Sequence, residues 1–317
     1  MQEKKYYSHL FGRKIIAIVI AVTVFYILMA IYSDAHQMVK YLNNLNIRFL
    51  SLILLSSLGS ILLRSIRQLF LLRRLSIRLD FMQNLIIFFA GLSMTVTPGG
   101  MGQMIKSHYL LKYHGQPISK TLPIVLAERY NDILALVSFI ILFVAINNIT
   151  ILRLPIIIIA AVVASVGFVI RHRSLLHFMQ GLLMKMPVLN SFKDSSFEFN
   201  SSLLSLFQNK ILIFSWALTM AAFFFDAISI FMCFQSLKLN FNFGFTTAFG
   251  FSSVLFGAIS FIPAGAGVTE ISFVQLLSHY GIEISKATAL VLLVRLSNVW
   301  FSTFIGVIST KFIAKNK

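Results

Sequence analysis

A chain of 317 residues with a mean hydropathy of +0.86 and only 12% charged side chains cannot cover an ordinary water-soluble domain, so composition excludes one. The net charge of +17 resembles that of a nucleic-acid binder, but among long apolar runs it reads instead as basic loops facing anionic headgroups, with no nucleic-acid partner. A single cysteine, Cys233, excludes an intrachain disulfide and a cysteine-rich metal site.

The apolar runs are unbroken rather than alternating, which favours helices over a transmembrane barrel. The first, residues 15–32, carries no charge and is about long enough to cross a bilayer. Lys4, Lys5, Arg13 and Lys14 ahead of it would suit a signal peptide, but the apolar runs that follow favour a retained span. Further runs cover residues 49–63, 81–96, 122–146, 154–170, 211–234, 245–262 and 287–313. Between the fifth and sixth spans, residues 171–210 are basic and loosely amphipathic. They read as an interfacial segment on the cytoplasmic surface or as a solvated linker.

Basic residues predict the topology. Arg64, Arg67, Arg73, Arg74 and Arg78 mark one cytoplasmic loop, and Arg171, Arg173, Lys185, Lys193 and Lys210 mark another. The stretches near Lys40 to Arg48, Arg153 and Lys238 are poor in charge and read as external. Two apolar runs lie between Arg78 and Arg153, where an odd number of crossings is required, so one must turn back. The candidate is Phe81 to Lys112, interrupted by "TVTPGGMGQ". The same parity makes Phe245 to Tyr280 a second hairpin, entering from the opposite side and containing "FIPAGAGVTEISF". Both termini are then cytoplasmic.

The two hairpins are related in sequence. Pro98 aligns with Pro263, Gly100 with Gly265, Gly102 with Gly267, Gly115 with Gly281, and Ile118-Ser119-Lys120 with Ile284-Ser285-Lys286. Arg129 then aligns with Arg295 and Asp132 with Asn298. The predicted fold is an all-α integral membrane protein with about six full spans and two re-entrant hairpins. It forms a single membrane domain over residues 1–317, with inverted-repeat halves at about 49–147 and 211–313 joined by 171–210. Inverted repeats with broken helices are a carrier signature, with the site near the midplane.

The stretches "TPGGMGQMIKSHYL", "LAERYNDILAL", "IPAGAGVTEISF" and "LVRLSNVW" resemble the membrane domain of lysylphosphatidylglycerol synthases and its free-standing, flippase-like relatives. In that family the first motif usually reads Pro-x-x-x-Gly-Glu-x-x-Arg, and here Gln103 and Lys106 stand at its Glu and Arg. Ala264 replaces the first Gly of the second motif, while Glu270 is retained. The resemblance implies lipid translocation across a bacterial or archaeal cytoplasmic membrane. The chain resembles the membrane domain alone, with four residues after Ile313 and no aminoacyl-transfer domain expected.

Of ten acidic residues, Glu128, Asp132, Asp226 and Glu270 fall in apolar runs, where an ionisable side chain is a functional candidate. Glu128 and Asp132 share a helix face and Arg129 reaches Asp132 at i,i+3, giving either a structural charge pair or a polar wall for a headgroup or proton. Arg295, with Asn298 at the matching position, is expected to be less fully neutralised and so suited to an anionic headgroup. A turn at Pro263 to Gly267 followed by a helix near Val268 would aim free N–H groups at a phosphate. Glu270 in its first turn is a cap or a proton-coupling group, and Asp226 a bundle hydrogen bond or a proton site. Gly100, Gly102, Lys106, Arg129, Gly265, Gly267, Arg295 and Asn298 are the candidate substrate contacts. No metal, cofactor or nucleotide motif is present.

These features favour a secondary carrier for an anionic or phosphate-bearing lipid, such as a phospholipid or a polyprenyl-phosphate-linked sugar. Two other readings compete with it. One is an intramembrane enzyme with Glu128 or Glu270 as base, and the other is an accessory partner of a lipid or glycan synthase or a glycosyltransferase. The short external loops lack the second polar cluster that an enzyme would need.

Overall fold

The computed structural model describes residues 35–43, 45, 47–95, 97, 101–171 and 196–315. The predicted span at 15–32, the residues Pro98 to Gly100 and most of the 171–210 segment lie outside these. In chain order the helices are α1 (Ala35–Asn43), α2 (Ile47–Arg74), α3 (Phe81–Leu92), α4 (Ile105–His114), α5 (Ile118–Ile146), α6 (Thr150–Arg171), α7 (Ser196–Leu206), α8 (Asn209–Ser236), α9 (Phe243–Ile259), α10 (Val268–His279), α11 (Ile284–Arg295) and α12 (Phe301–Lys315). A 3-10 turn at Met101–Met104 leads into α4, and a π turn at Leu296–Trp300 joins α11 to α12.

Length divides these helices into two kinds. Helices α2, α5, α6, α8 and the continuous α11–α12 rod are long and apolar enough to cross a membrane. With 12 and 17 residues, α3 and α9 reach only about 18 and 26 Å, short of a hydrocarbon core of about 30 Å. Each is followed by another short helix, α4 or α10, that packs back against it. Leu154, Ile157, Ile158 and Phe304 hold their side chains outward, as a lipid solvent permits.

Contacts at the helix ends show where each short pair begins and returns. The Arg74 Nη2 at the end of α2 donates to Gln208 Oε1 (2.6 Å), one residue before α8. The Ser119 hydroxyl at the start of α5 contacts Glu198 of α7. The end of α2 and the starts of α5 and α8 therefore share one end of the bundle, and the chain leaves that end through α3 and comes back through α4. At the other end Phe245 packs on Phe241 (4.5 Å between ring centroids) and on Tyr280 (4.9 Å), which joins the exit of α8, the start of α9 and the end of α10. The α9–α10 pair thus opens on the end opposite to α3–α4. The two pairs also match in detail. Gly115 (φ 64°) and Gly281 (φ 78°) follow α4 and α10 in the left-handed region, and Ile118 and Ile284 begin the next helices.

The boundaries correct one feature of the sequence reading. The first described span ends at Arg74 and not at Leu63, so Arg64 and Arg67 are interior helix residues and not a cytoplasmic loop. Arg67 is only 1% exposed. A long amphipathic turn added to an apolar run carries the same helix onward, and buried partners hold its charges in place.

Candidate functional site

The serines, arginines and Gln68 of α2 at positions 57, 60, 64, 67 and 68 recur every three or four residues, so they share one face. That face meets α8, α5 and the π turn. Arg64 Nη2 donates to Asp226 Oδ2 of α8 (2.6 Å), and its guanidinium lies 4.5 Å from the Phe223 ring centroid. One helical turn further on, Arg67 Nη1 donates to Asp132 Oδ1 of α5 and to Thr219 Oγ1 of α8, at 2.6 and 2.7 Å. Toward the other end of the face, Ser57 reaches Ser229 (3.2 Å) and Asn298 (3.4 Å), and Ser229 reaches Ser297 (3.4 Å). A polar seam thus runs through the bundle. Three of the predicted residues, Asp132, Asp226 and Asn298, lie on it.

The α4–α5 contact supplies a second pair. Lys106 of α4 is 2% exposed and pairs with Glu128 of α5, which is fully buried. Its aliphatic stem lies over Gly91, where an added Cβ would approach Lys106 Cγ to 2.5 Å, so α3 leaves out a side chain to make room for it. Beside this pair, Arg129 Nη2 donates to Gln103 Oε1 (2.6 Å) and lies 3.3 Å from Asp132 Oδ2, the i,i+3 contact expected from sequence. Asp132 therefore serves two guanidinium groups. Buried carboxylates in such contacts trade desolvation against charge pairing.

The second hairpin turns where the glycines predict. Gly265 and Gly267 have φ of 65° and 90°, in the region where a Cβ clashes with the backbone. The helix beyond begins at Val268. Glu270 Oε2 accepts from Gly267 N (2.8 Å), which is a cap, and Glu270 Oε1 lies 2.7 Å from Arg295 Nε. Arg295 Nη2 also donates to Ala264 O (2.7 Å). The expectation that Arg295 is less neutralised than Arg129 does not hold. Its counter-charge comes from the hairpin 25 residues earlier, outside the i,i+3 window that Asn298 occupies. Glu270 also places a carboxylate at the positive end of α10, the position foreseen for a phosphate.

The hairpin ties are thus of reversed polarity. In the first the cation is on the hairpin and the carboxylate on the following long helix; in the second the arrangement is the opposite. Of the other predicted residues, Gly102 donates its N–H to Thr97 Oγ1 (2.5 Å) next to the Met101–Met104 turn, and Gly100 lies outside the described residues. The sequence reading missed Arg64, Arg67 and Gln103 as site residues. The three-to-four spacing of polar residues on α2 was the available signal.

Ala264, at the position where the related motif has glycine, sits at φ 53°. A left-handed alanine costs about 1–2 kcal/mol, while glycine gives back about 0.4–1 kcal/mol through the unfolded chain. Ala264→Gly is therefore expected to stabilise the protein by roughly 0.5–1 kcal/mol, read as a rise of a few degrees in the thermal midpoint in detergent.

A multi-pass, all-helical membrane protein with ion pairs buried among its spans is the class that this fold and site define. Within that class, the chain belongs to the family described as Lysylphosphatidylglycerol synthase TM region, which it matches over residues 15–306, so the motif resemblance is borne out. It is also similar to the UPF0104 membrane protein PH1989 of Pyrococcus horikoshii, with 24% identity over 324 aligned positions that cover 93% of this chain and 95% of that protein.

Proposed function

We propose that the protein is a carrier that moves a phosphate-bearing lipid between the leaflets without nucleotide. The observation that carries this reading is a polar seam inside a bundle whose two half-length hairpins open on opposite ends. In a membrane, two short broken pairs related in this way make the re-entrant halves of an inverted repeat, each able to expose the seam to one side in turn. The buried charges suit a polar headgroup, since ionisable groups at membrane depth face a bundle interior or a water-filled path. Family membership places the chain among proteins named for a lipid synthase, which agrees with a lipid cargo and equally with the accessory-partner reading.

The test is exchange of fluorescent phosphatidylglycerol and of a polyprenyl-phosphate lipid between the leaflets of liposomes holding the purified protein. The expected result is exchange at least tenfold faster than in empty liposomes, with no ATP present. Should neither lipid, nor any other in a panel of phosphate-bearing lipids, move faster than in protein-free liposomes, the carrier reading gives way to that of a partner of a synthase.

A further inference from the structure

Lys106, Arg64, Arg67 and Arg129 gather around only three carboxylates among the described residues, Glu128, Asp226 and Asp132. Lys106 has Glu128, Arg64 has Asp226, and Arg67 has the closer share of Asp132 at 2.6 Å. The surplus charge falls on Arg129, whose nearest acceptor is the neutral amide of Gln103. Its Nε is buried and has no hydrogen-bond partner, while its side chain keeps 35% of its surface exposed. Arg129 lies roughly 17 Å along α5, near the middle of a 29-residue span, where a charge that only shares its carboxylate is costly.

We propose that Arg129 is the seat of a phosphate oxyanion and that Gln103 sets its specificity, by holding the guanidinium in place without neutralising it. The part of the side chain that stays exposed presents guanidinium charge, and a guanidinium donates readily to phosphate oxygens. The contrast with the second hairpin is direct. There Glu270 neutralises Arg295 and also caps α10, so the phosphate has no equivalent seat at that end. This proposal rests on the carrier reading only for the source of the phosphate. Binding is read in detergent without transport, so the two ideas fail separately.

The purified full chain in a neutral detergent is titrated with inorganic phosphate, with dihexanoyl phosphatidylglycerol and with dihexanoyl phosphatidylcholine, following the thermal midpoint and the apparent Kd. A response to the anionic lipid alone identifies a lipid headgroup as the ligand, and an equal response to inorganic phosphate identifies a general phosphate seat; either supports the proposal. Gln103→Glu is expected to raise the midpoint without ligand and to weaken phosphate binding at least tenfold, because its carboxylate takes the place of the anion. Gln103→Leu, which removes the amide that holds the guanidinium but keeps the surplus charge, is expected to weaken phosphate binding by less than Gln103→Glu does. Equal binding by the Gln103→Glu variant and the parent, or no response of the parent to any phosphate-bearing ligand, overturns it.

Discussion

Asp132→Ala is expected to be the most damaging single substitution in the first half of the chain, with a loss of roughly 3–5 kcal/mol, the usual cost of stripping a buried ion pair of one partner. The reason is that the carboxylate serves two cations on two helices, Arg67 at 2.6 Å and Arg129 at 3.3 Å, and Arg67 is almost wholly buried. Without it Arg67 keeps Thr219 and Arg129 keeps Gln103, both neutral. The loss is read as the yield and thermal midpoint of monodisperse protein in detergent. Arg67→Met in the same chain is expected to recover most of it, because a well-packed apolar residue replaces a buried charge at little cost. A single Asp132→Ala variant as stable as the parent would show that the α2–α5 pairing does not depend on this charge.

That Asp132 would matter was legible in the sequence, and so was its local partner, because Arg129 lies within i,i+3 reach on the same helix. The turn at Gly265 and Gly267 was legible for a similar reason, since glycine and proline act on their own few residues and the helix start at Val268 follows from them. The distant partners were not legible. Arg67 and Asp132 are 65 residues apart and Lys106 and Glu128 are 22 apart, and helix packing decides which charges meet at such distances. Positive charge marks cytoplasmic ends on average, which makes Arg64 and Arg67 look like loop in the sequence, and the same residue type inside a span reverses its meaning once carboxylates on α5 and α8 face it. The neutrality of Gln103 gained its importance only when Arg129 was found against it. The contacts of Arg74, Ser119 and Tyr280 put the openings of the two short helix pairs at opposite ends of the bundle.

In the second half the largest effect is expected from Glu270→Gln. A cap tolerates this change, because the amide oxygen can still accept from Gly267 N, and on that ground alone the variant would fold as well as the parent. The contact with Arg295 makes the difference. Arg295 is 6% exposed and its Nε lies 2.7 Å from the carboxylate, so a neutral amide leaves a buried cation short of its counter-charge. Glu270→Gln is therefore expected to lower stability by about 3 kcal/mol, well beyond the roughly 1 kcal/mol typical of a lost cap. Arg295→Met placed beside it is expected to restore the thermal midpoint to within the equivalent of about 1 kcal/mol of the parent, and the double-mutant cycle reads the coupling between the two sites. A Glu270→Gln variant that melts with the parent would show that Arg295 draws its counter-charge from elsewhere. The restored double variant also separates structure from transport, because it keeps the α10–α11 contact while removing both charges. If lipid exchange in liposomes keeps its rate and its pH response in that variant, Glu270 and Arg295 hold the hairpin in place and take no part in coupling.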